Sequence, residues 1–74
     1  MGKEETPPMT RRIIRRIPKK EDEEIRITIL HYRGTEAIDI RVFFKLRNEF
    51  LPTRRGLVIS RPLLKEVLKG LIEA

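Results

Sequence analysis

The chain of 74 residues is near the size at which a single hydrophobic core becomes hard to stabilise. It has no cysteine, so disulfides and thiolate metal sites cannot reinforce it, and its one histidine, His31, has too few suitable neighbours to build a metal site. Lys and Arg outnumber Asp and Glu by 17 to 11, for a formal charge of +6, and eleven of the seventeen cations are arginine. With staples and metals excluded, burial against a second copy is the remaining source of stability, so a homodimer is the physical expectation.

The positive charge is shared along the chain: residues 1–20 carry +5, residues 21–24 carry −4 and residues 25–74 carry +5. Basicity in the folded region as well as the arm favours a polyanion partner, with nucleic acid ahead of a membrane surface. Surplus arginine kept for solubility is the bland alternative. No apolar run approaches the ~20 residues of a membrane span, and no apolar segment follows the N-terminus as in a signal peptide. These features predict an intracellular protein that acts away from membranes.

Residues 1–10, MGKEETPPMT, are polar and aperiodic, and read as a flexible arm ahead of one domain over 11–74. RRIIRRIPKK follows. Ile13, Ile14 and Ile17 suit one face of a helical turn, whereas their β-branching and Pro18 favour a short edge strand; the strand, over 11–17, is the reading adopted. The charge run from Lys19 to Glu24 reads as a solvated turn. Ile25, Ile27, Ile29 and His31 then alternate with Arg26, Thr28, Leu30 and Tyr32, the period of a half-buried strand broken only at Leu30. Arg33-Gly34-Thr35-Glu36 forms a hairpin loop, with Gly34 free to take positive φ. Ile38, Ile40, Val42 and Phe44 alternate with Ala37, Asp39, Arg41 and Phe43 in the next strand. Facing Tyr32 with Ala37 pairs Ile29 with Ile40, Thr28 with Arg41 and Ile25 with Phe44. One face is then an apolar layer that includes Ile38 and Ile40; the other carries Arg26, Thr28, Tyr32, Asp39, Arg41 and Phe43.

A second turn falls over Lys45–Glu49, with Asn48 as pivot. Phe50 and Leu51 restart an extended segment that Pro52 confines to an edge or a bulge. Thr53-Arg54-Arg55-Gly56 keeps the charge high, and Leu57-Val58-Ile59 completes the strand. Ser60 is a good N-cap for an amphipathic helix from Pro62 to Ile72, on which Leu63, Leu64, Val67, Leu68, Leu71 and Ile72 form one stripe. Gly70 costs that helix roughly 0.5–1 kcal/mol unless close packing needs it. The predicted fold is α+β: an antiparallel four-stranded sheet and one C-terminal helix, β-β-β-β-α. Ile38, Ile40, Leu64, Val67, Leu68 and Leu71 are the expected core and dimer residues.

Catalysis is a poor fit. The acids sit in turns or beside arginines, Asp39 suits a structural ion pair, and no phosphate loop, zinc spacing or nucleophile elbow is present. Neither an enzyme nor a cofactor is expected. A basic sheet face with interleaved rings remains, and such a face suits single strands, whose bases stack while Arg and Lys grip phosphates. Tyr32 and Phe43 offer rings; Arg26, Arg33, Arg41, Arg54 and Arg55 offer charge. Burial of Tyr32 and Phe43 in a dimer core is the competing reading, and Phe44 faces inward unless a bulge reverses it.

YRG at 32–34, IDIR at 38–41 followed by the pair Phe43-Phe44, and PTRRG at 52–56 ahead of an apolar strand and a capped helix resemble the single-stranded DNA-binding domain of the transcriptional coactivator positive cofactor four. The resemblance covers about residues 25–73. It implies a homodimer whose curved sheets hold single-stranded DNA in paired grooves without sequence preference, and it extends to partners in the transcription machinery. By position, the family's stacking aromatic corresponds to Tyr32, its strand-closing tryptophan to Phe44, and its basic positions to Arg33, Arg41, Arg54 and Arg55. Thr35 and Glu36 replace a basic loop residue, Val42 a glutamate and Phe44 the tryptophan, and the turn before Pro52 is shorter by about one residue. RNA stands as an alternative ligand. The rival readings are a two-stranded ribbon that recognises duplex DNA and an assembly module that binds no nucleic acid.

Overall fold

The computed structural model describes residues 9–74. Four strands, β1 (Thr10–Lys20), β2 (Glu23–Tyr32), β3 (Thr35–Leu46) and β4 (Glu49–Ser60), form one antiparallel sheet in the order β1-β2-β3-β4. A 3₁₀ turn over Arg61–Leu63 leads into helix α1 (Leu64–Glu73). The α+β class and the element order match the expectation. The arm expected over 1–10 lies outside the described residues except for Met9 and Thr10, and Thr10 already belongs to β1.

The β2–β3 hairpin corrects the expected register. Tyr32 pairs with Thr35, Ile29 with Ile38, Thr28 with Asp39 and Arg26 with Arg41, so the loop holds only Arg33 and Gly34. Both take positive φ, 53° and 77°, the signature of a tight hairpin turn whose twist matches the strands. Arg33 makes this conformation hard to foresee, because a long side chain seldom adopts it. The expected pairing was displaced by two residues, which preserves the side-chain period, so every residue kept its anticipated face. The β3–β4 turn is equally tight: Arg47 and Asn48 have φ of 53° and 66°.

The edges depart further from regular alternation. β1 is eleven residues long, not a short strand over 11–17. Its pairing shifts between Ile13, opposite Thr28, and Arg15, opposite Ile27, which leaves Ile14 as the extra residue of a bulge. That bulge explains why RRIIRRI fits neither a helical nor a strand period. The expected turn at Lys19–Glu24 shrinks to Glu21 and Asp22. In β4, Pro52 pairs with Phe43 and Gly56 with Arg41, so Thr53, Arg54 and Arg55 stand against Val42 alone.

That irregularity has identifiable supports. Pro52 has no N–H to offer the ladder. The Thr53 hydroxyl donates to the Val42 carbonyl (2.7 Å) and accepts from the Arg55 N–H (3.1 Å). At Gly56 the strands approach so closely that a Cβ would lie 2.5 Å from the Ile40 carbonyl oxygen and 2.8 Å from the Arg41 Cα.

The helix starts two residues later than expected, at Leu64, and the Ser60 side chain makes no capping hydrogen bond. An ion pair from Arg61 to Glu36 (2.9 Å) ties the 3₁₀ turn to β3. No residue of α1 is buried. Of the expected core positions, Ile38 is buried, Ile40, Leu64 and Val67 are half-buried, and Leu68 and Leu71 are exposed. Ile38 and Ile59 are the only buried hydrophobic residues among those described. The apolar side of the sheet is therefore not covered by the chain's own helix.

Candidate nucleic-acid interface

Alternation along β2 and β3 places Glu24, Arg26, Thr28, Leu30 and Tyr32 on the same face as Asp39, Arg41 and Phe43. The outer strands add Arg11, Ile13 and Arg16 from β1, and Phe50 and Val58 from β4. This face is concave at its Glu24 end. The guanidinium of Arg16, on one edge strand, lies 5.5 Å from the ring centre of Phe50, on the other.

Two buried carboxylates organise the face. Glu24 accepts from Arg16 Nε (2.8 Å) and Nη2 (3.1 Å) and from Arg26 Nε. The hydrogen bonds from Arg16 hold the Glu24 carboxyl below its ordinary pKa against the opposing effect of burial, with Arg26 adding to the depression, and the same pair raises the Arg16 guanidinium. Two guanidiniums are thus fixed as planes. Arg26 lies 4.2 Å from the Phe43 ring centre and 5.6 Å from that of Phe50. Lys45 Nζ approaches Phe50 at 5.9 Å. Cations over ring faces are attracted to the ring quadrupole, which reinforces the cluster.

The second carboxylate, Asp39, holds Arg41 through Nη2 (2.9 Å) and Nε (3.1 Å), while Arg41 Nη1 donates to the Thr53 carbonyl (3.0 Å). Asp39 therefore carries the structural ion pair anticipated for it. Arg41 braces the β4 bulge, and its side chain keeps 21% of its surface. Two hollows of about 200 and 220 Å³ open onto this face and share Arg11, Asp39 and Phe43 as walls. Together they form a shallow trough across the sheet.

The structure divides the residues singled out from sequence. Arg26, Arg41, Phe43 and Tyr32 share the concave face, and Arg33 stacks on Tyr32 at its far end, 5.3 Å from the ring centre. Phe44 lies on the opposite face in register with Ile38, Ile40 and Val42, because β3 pairs with β2 without a bulge. Arg55 also leaves the trough: it pairs with Glu23 (2.8 Å), whose carboxyl Lys19 and Arg55 hold below its usual range. Arg33 and Arg54 make no ion pair among the described residues.

Sequence reasoning missed Arg11, Arg16, Glu24, Lys45 and Phe50. One signal for Phe50 was present, since it stands opposite Lys45 across a tight hairpin. Glu24 was hidden in a charge run, although its spacing of two from Arg26 places both on one face of a strand. Among the described residues, no group of His, Cys, Asp and Glu is gathered as a metal site would require, and no helix is long and apolar enough to cross a membrane.

Comparison with known proteins identifies the fold's relatives. The family described as Transcriptional Coactivator p15 (PC4) matches residues 19–70. The crystal structure of a PC4 homolog from Burkholderia pseudomallei K96243, in a tetragonal form, is 34% identical over 85% of this chain and 94% of that one, with a TM-score of 0.79. The orthorhombic form of the same homolog gives 30% identity over 96% and 92% of the two chains, with a TM-score of 0.76. No curated protein gives a significant sequence match. With the family matched over most of the chain and a homolog superposing on the sheet and helix, the chain belongs to the PC4 family of transcriptional coactivators, which are non-catalytic DNA-binding regulators.

Proposed function

We propose that the protein is a homodimeric, largely sequence-independent single-stranded DNA-binding protein that acts as a coactivator-like regulator of transcription. The observation that carries this reading is the concave face, where Phe43 lines an open trough with Arg11 and Arg26, and where Phe50, outside that trough, lies among Arg16, Arg26 and Lys45. Aromatic rings set among guanidiniums suit bases that are free to stack, and neither selects a particular base edge. A closed duplex offers no exposed ring faces to such a surface.

Tyr32 with Arg33 at the hairpin, Arg26 and Phe43 in the trough, and Arg54 in the β4 bulge are the residues given to the strand. Arg41 holds the trough's shape and lends it charge. Phe44 and Arg55, on the other face, contact a strand only where that strand wraps the edge or a second copy brings them alongside. The uncovered apolar side supports the homodimer: a sheet whose only buried hydrophobic residues among those described are Ile38 and Ile59, and a helix with nothing buried, lack a second layer.

A salt titration of binding to a labelled single-stranded oligonucleotide, with duplex of equal length and single-stranded RNA in parallel, tests the reading. Single-stranded DNA is expected to bind tightest, with log K falling against log salt at about −0.7 per phosphate contact. Equal affinity for duplex favours the ribbon reading, and no binding at low salt leaves an assembly module. RNA binding tighter than DNA reassigns the ligand.

A further inference from the structure

The end of the concave face away from Tyr32 holds a second cluster, built from residues outside the family motifs at 32–34, 38–44 and 52–56. Phe50, on β4, is half-buried, and three cations surround its ring: Arg16 at 5.5 Å, Arg26 at 5.6 Å and Lys45 at 5.9 Å. They come from three different strands. Glu24, with 6% of its surface exposed, fixes two of them by charge-assisted hydrogen bonds. The Arg16 side chain nevertheless keeps 51% of its surface open, so the plane it presents is held in place and still accessible.

Arginines held merely for solubility would not need a buried carboxylate to fix their planes, and a phosphate site alone would be weakened by one. A fixed guanidinium against an aromatic ring is a stacking surface for a nucleobase, with Lys45 left to meet the adjoining phosphate. We propose that Phe50, Arg16 and Lys45, positioned by Glu24, form a second base-stacking subsite, distinct from the one at Tyr32. It rests on the single-stranded nucleic-acid reading above and adds to it where the strand ends. Glu24 and Tyr32 are eight residues apart on β2, about 26 Å at roughly 3.3 Å per residue. Two anchors at that separation set a minimum length for full-affinity ligands.

The chain contains no tryptophan, so Phe50→Trp creates a single fluorescent reporter inside the subsite. Oligothymidylates of increasing length are added while the anisotropy of a labelled oligonucleotide reports binding independently. The proposal expects the emission to be quenched in step with the anisotropy. Phe50→Leu should weaken binding of long oligonucleotides by about 5- to 150-fold, the effect of losing one stacked base, and should leave binding of oligonucleotides too short to span both anchors nearly unchanged. Glu24→Gln should also weaken binding, although it makes the face more positive; Coulomb attraction alone predicts the opposite sign. Anisotropy that saturates while the emission stays constant, or Phe50→Leu binding long oligonucleotides as the parent does in a variant whose circular dichroism is native, overturns the subsite and leaves the general reading standing. Absence of any binding by the parent protein sinks both.

Discussion

The two faces of the sheet come from the same strands but solve different problems. The concave face is complete within one chain: its buried carboxylates, Glu24 and Asp39, each have guanidinium partners, and no buried side-chain polar atom among the described residues lacks a hydrogen bond. The apolar face is incomplete. It carries isoleucines on both central strands, yet only Ile38 and Ile59 are buried, while Leu57, Leu68, Leu71 and Ile72 retain half or nearly half of their surface or more. Polar groups find partners one at a time, through short-range bonds that a single sheet can supply. Apolar surface needs area, which a four-stranded sheet and a ten-residue helix cannot supply alone.

The largest expected effect lies on the apolar side. Leu71 is 63% exposed in the single chain, and at a site that stayed so exposed, Leu71→Ala would change stability by no more than about 0.5 kcal/mol. Covered by a second copy, the same truncation costs about 2–5 kcal/mol. The larger loss is expected, together with a midpoint of chemical denaturation that rises with protein concentration. Sedimentation equilibrium should show the dimer weakened. A small, concentration-independent change would mean the stripe is left open in solution.

Gly56→Ala tests the other side. The added Cβ meets backbone, the Ile40 carbonyl oxygen and the Arg41 Cα, and neither can swing away as a side-chain tip could. A loss of about 1–3 kcal/mol in denaturant unfolding is expected. Because Arg41 also supports the Thr53 bulge, the trough should deform as well. Native-like stability in this variant would show that β4 can retreat without cost.

These two sites mark what the sequence made legible. Period-two alternation placed Ile38, Ile40, Val42 and Phe44 on one face and Asp39, Arg41 and Phe43 on the other, and it survived a register displaced by two. Pro52 announced an edge or a bulge in β4, and both are present, but the bulge in β1 did not show. A bulge is fixed by pairing between strands, so RRIIRRI read as ambiguous and the extent of the bulge around Thr53 was hidden. Phe50 was missed for the same reason, since the Pro52 interruption hid its face. The turns were located through Gly34 and Asn48 but read as too long, because their other positive-φ residues, Arg33 and Arg47, are not the usual ones.

Acid provides a third, smaller test, confined to the concave face. The Glu24 carboxyl is held below its ordinary pKa, so its contribution to stability is fully present above the ordinary carboxylate range and is lost as pH falls through the depressed folded value. Thermal melts from neutral pH downward should show a declining limb below about pH 4.5. Glu24→Gln should melt lower at neutral pH and decline less steeply in acid. Parallel curves for the two proteins would assign the acid limb elsewhere, with Glu23 the next candidate because Lys19 and Arg55 depress it in the same direction.

The smallest effect maps the edge of the apolar stripe. At about 100° per residue, Val67, Leu71, Leu64, Leu68 and Ile72 span a continuous arc of roughly 140°, and Gly70 falls about 60° beyond its Val67 edge. A Cβ added at Gly70 meets nothing within 4 Å in the chain. Gly70→Ala is therefore expected to stabilise the protein by about 0.5–1 kcal/mol, the helix propensity gained, with an unchanged dissociation constant for the dimer. Weaker assembly would place the partner's backbone against Gly70 and widen the covered face past Val67. Read with Leu71→Ala, the result separates a helix that lays only its leucine stripe on a partner from one that is gripped from the side as well.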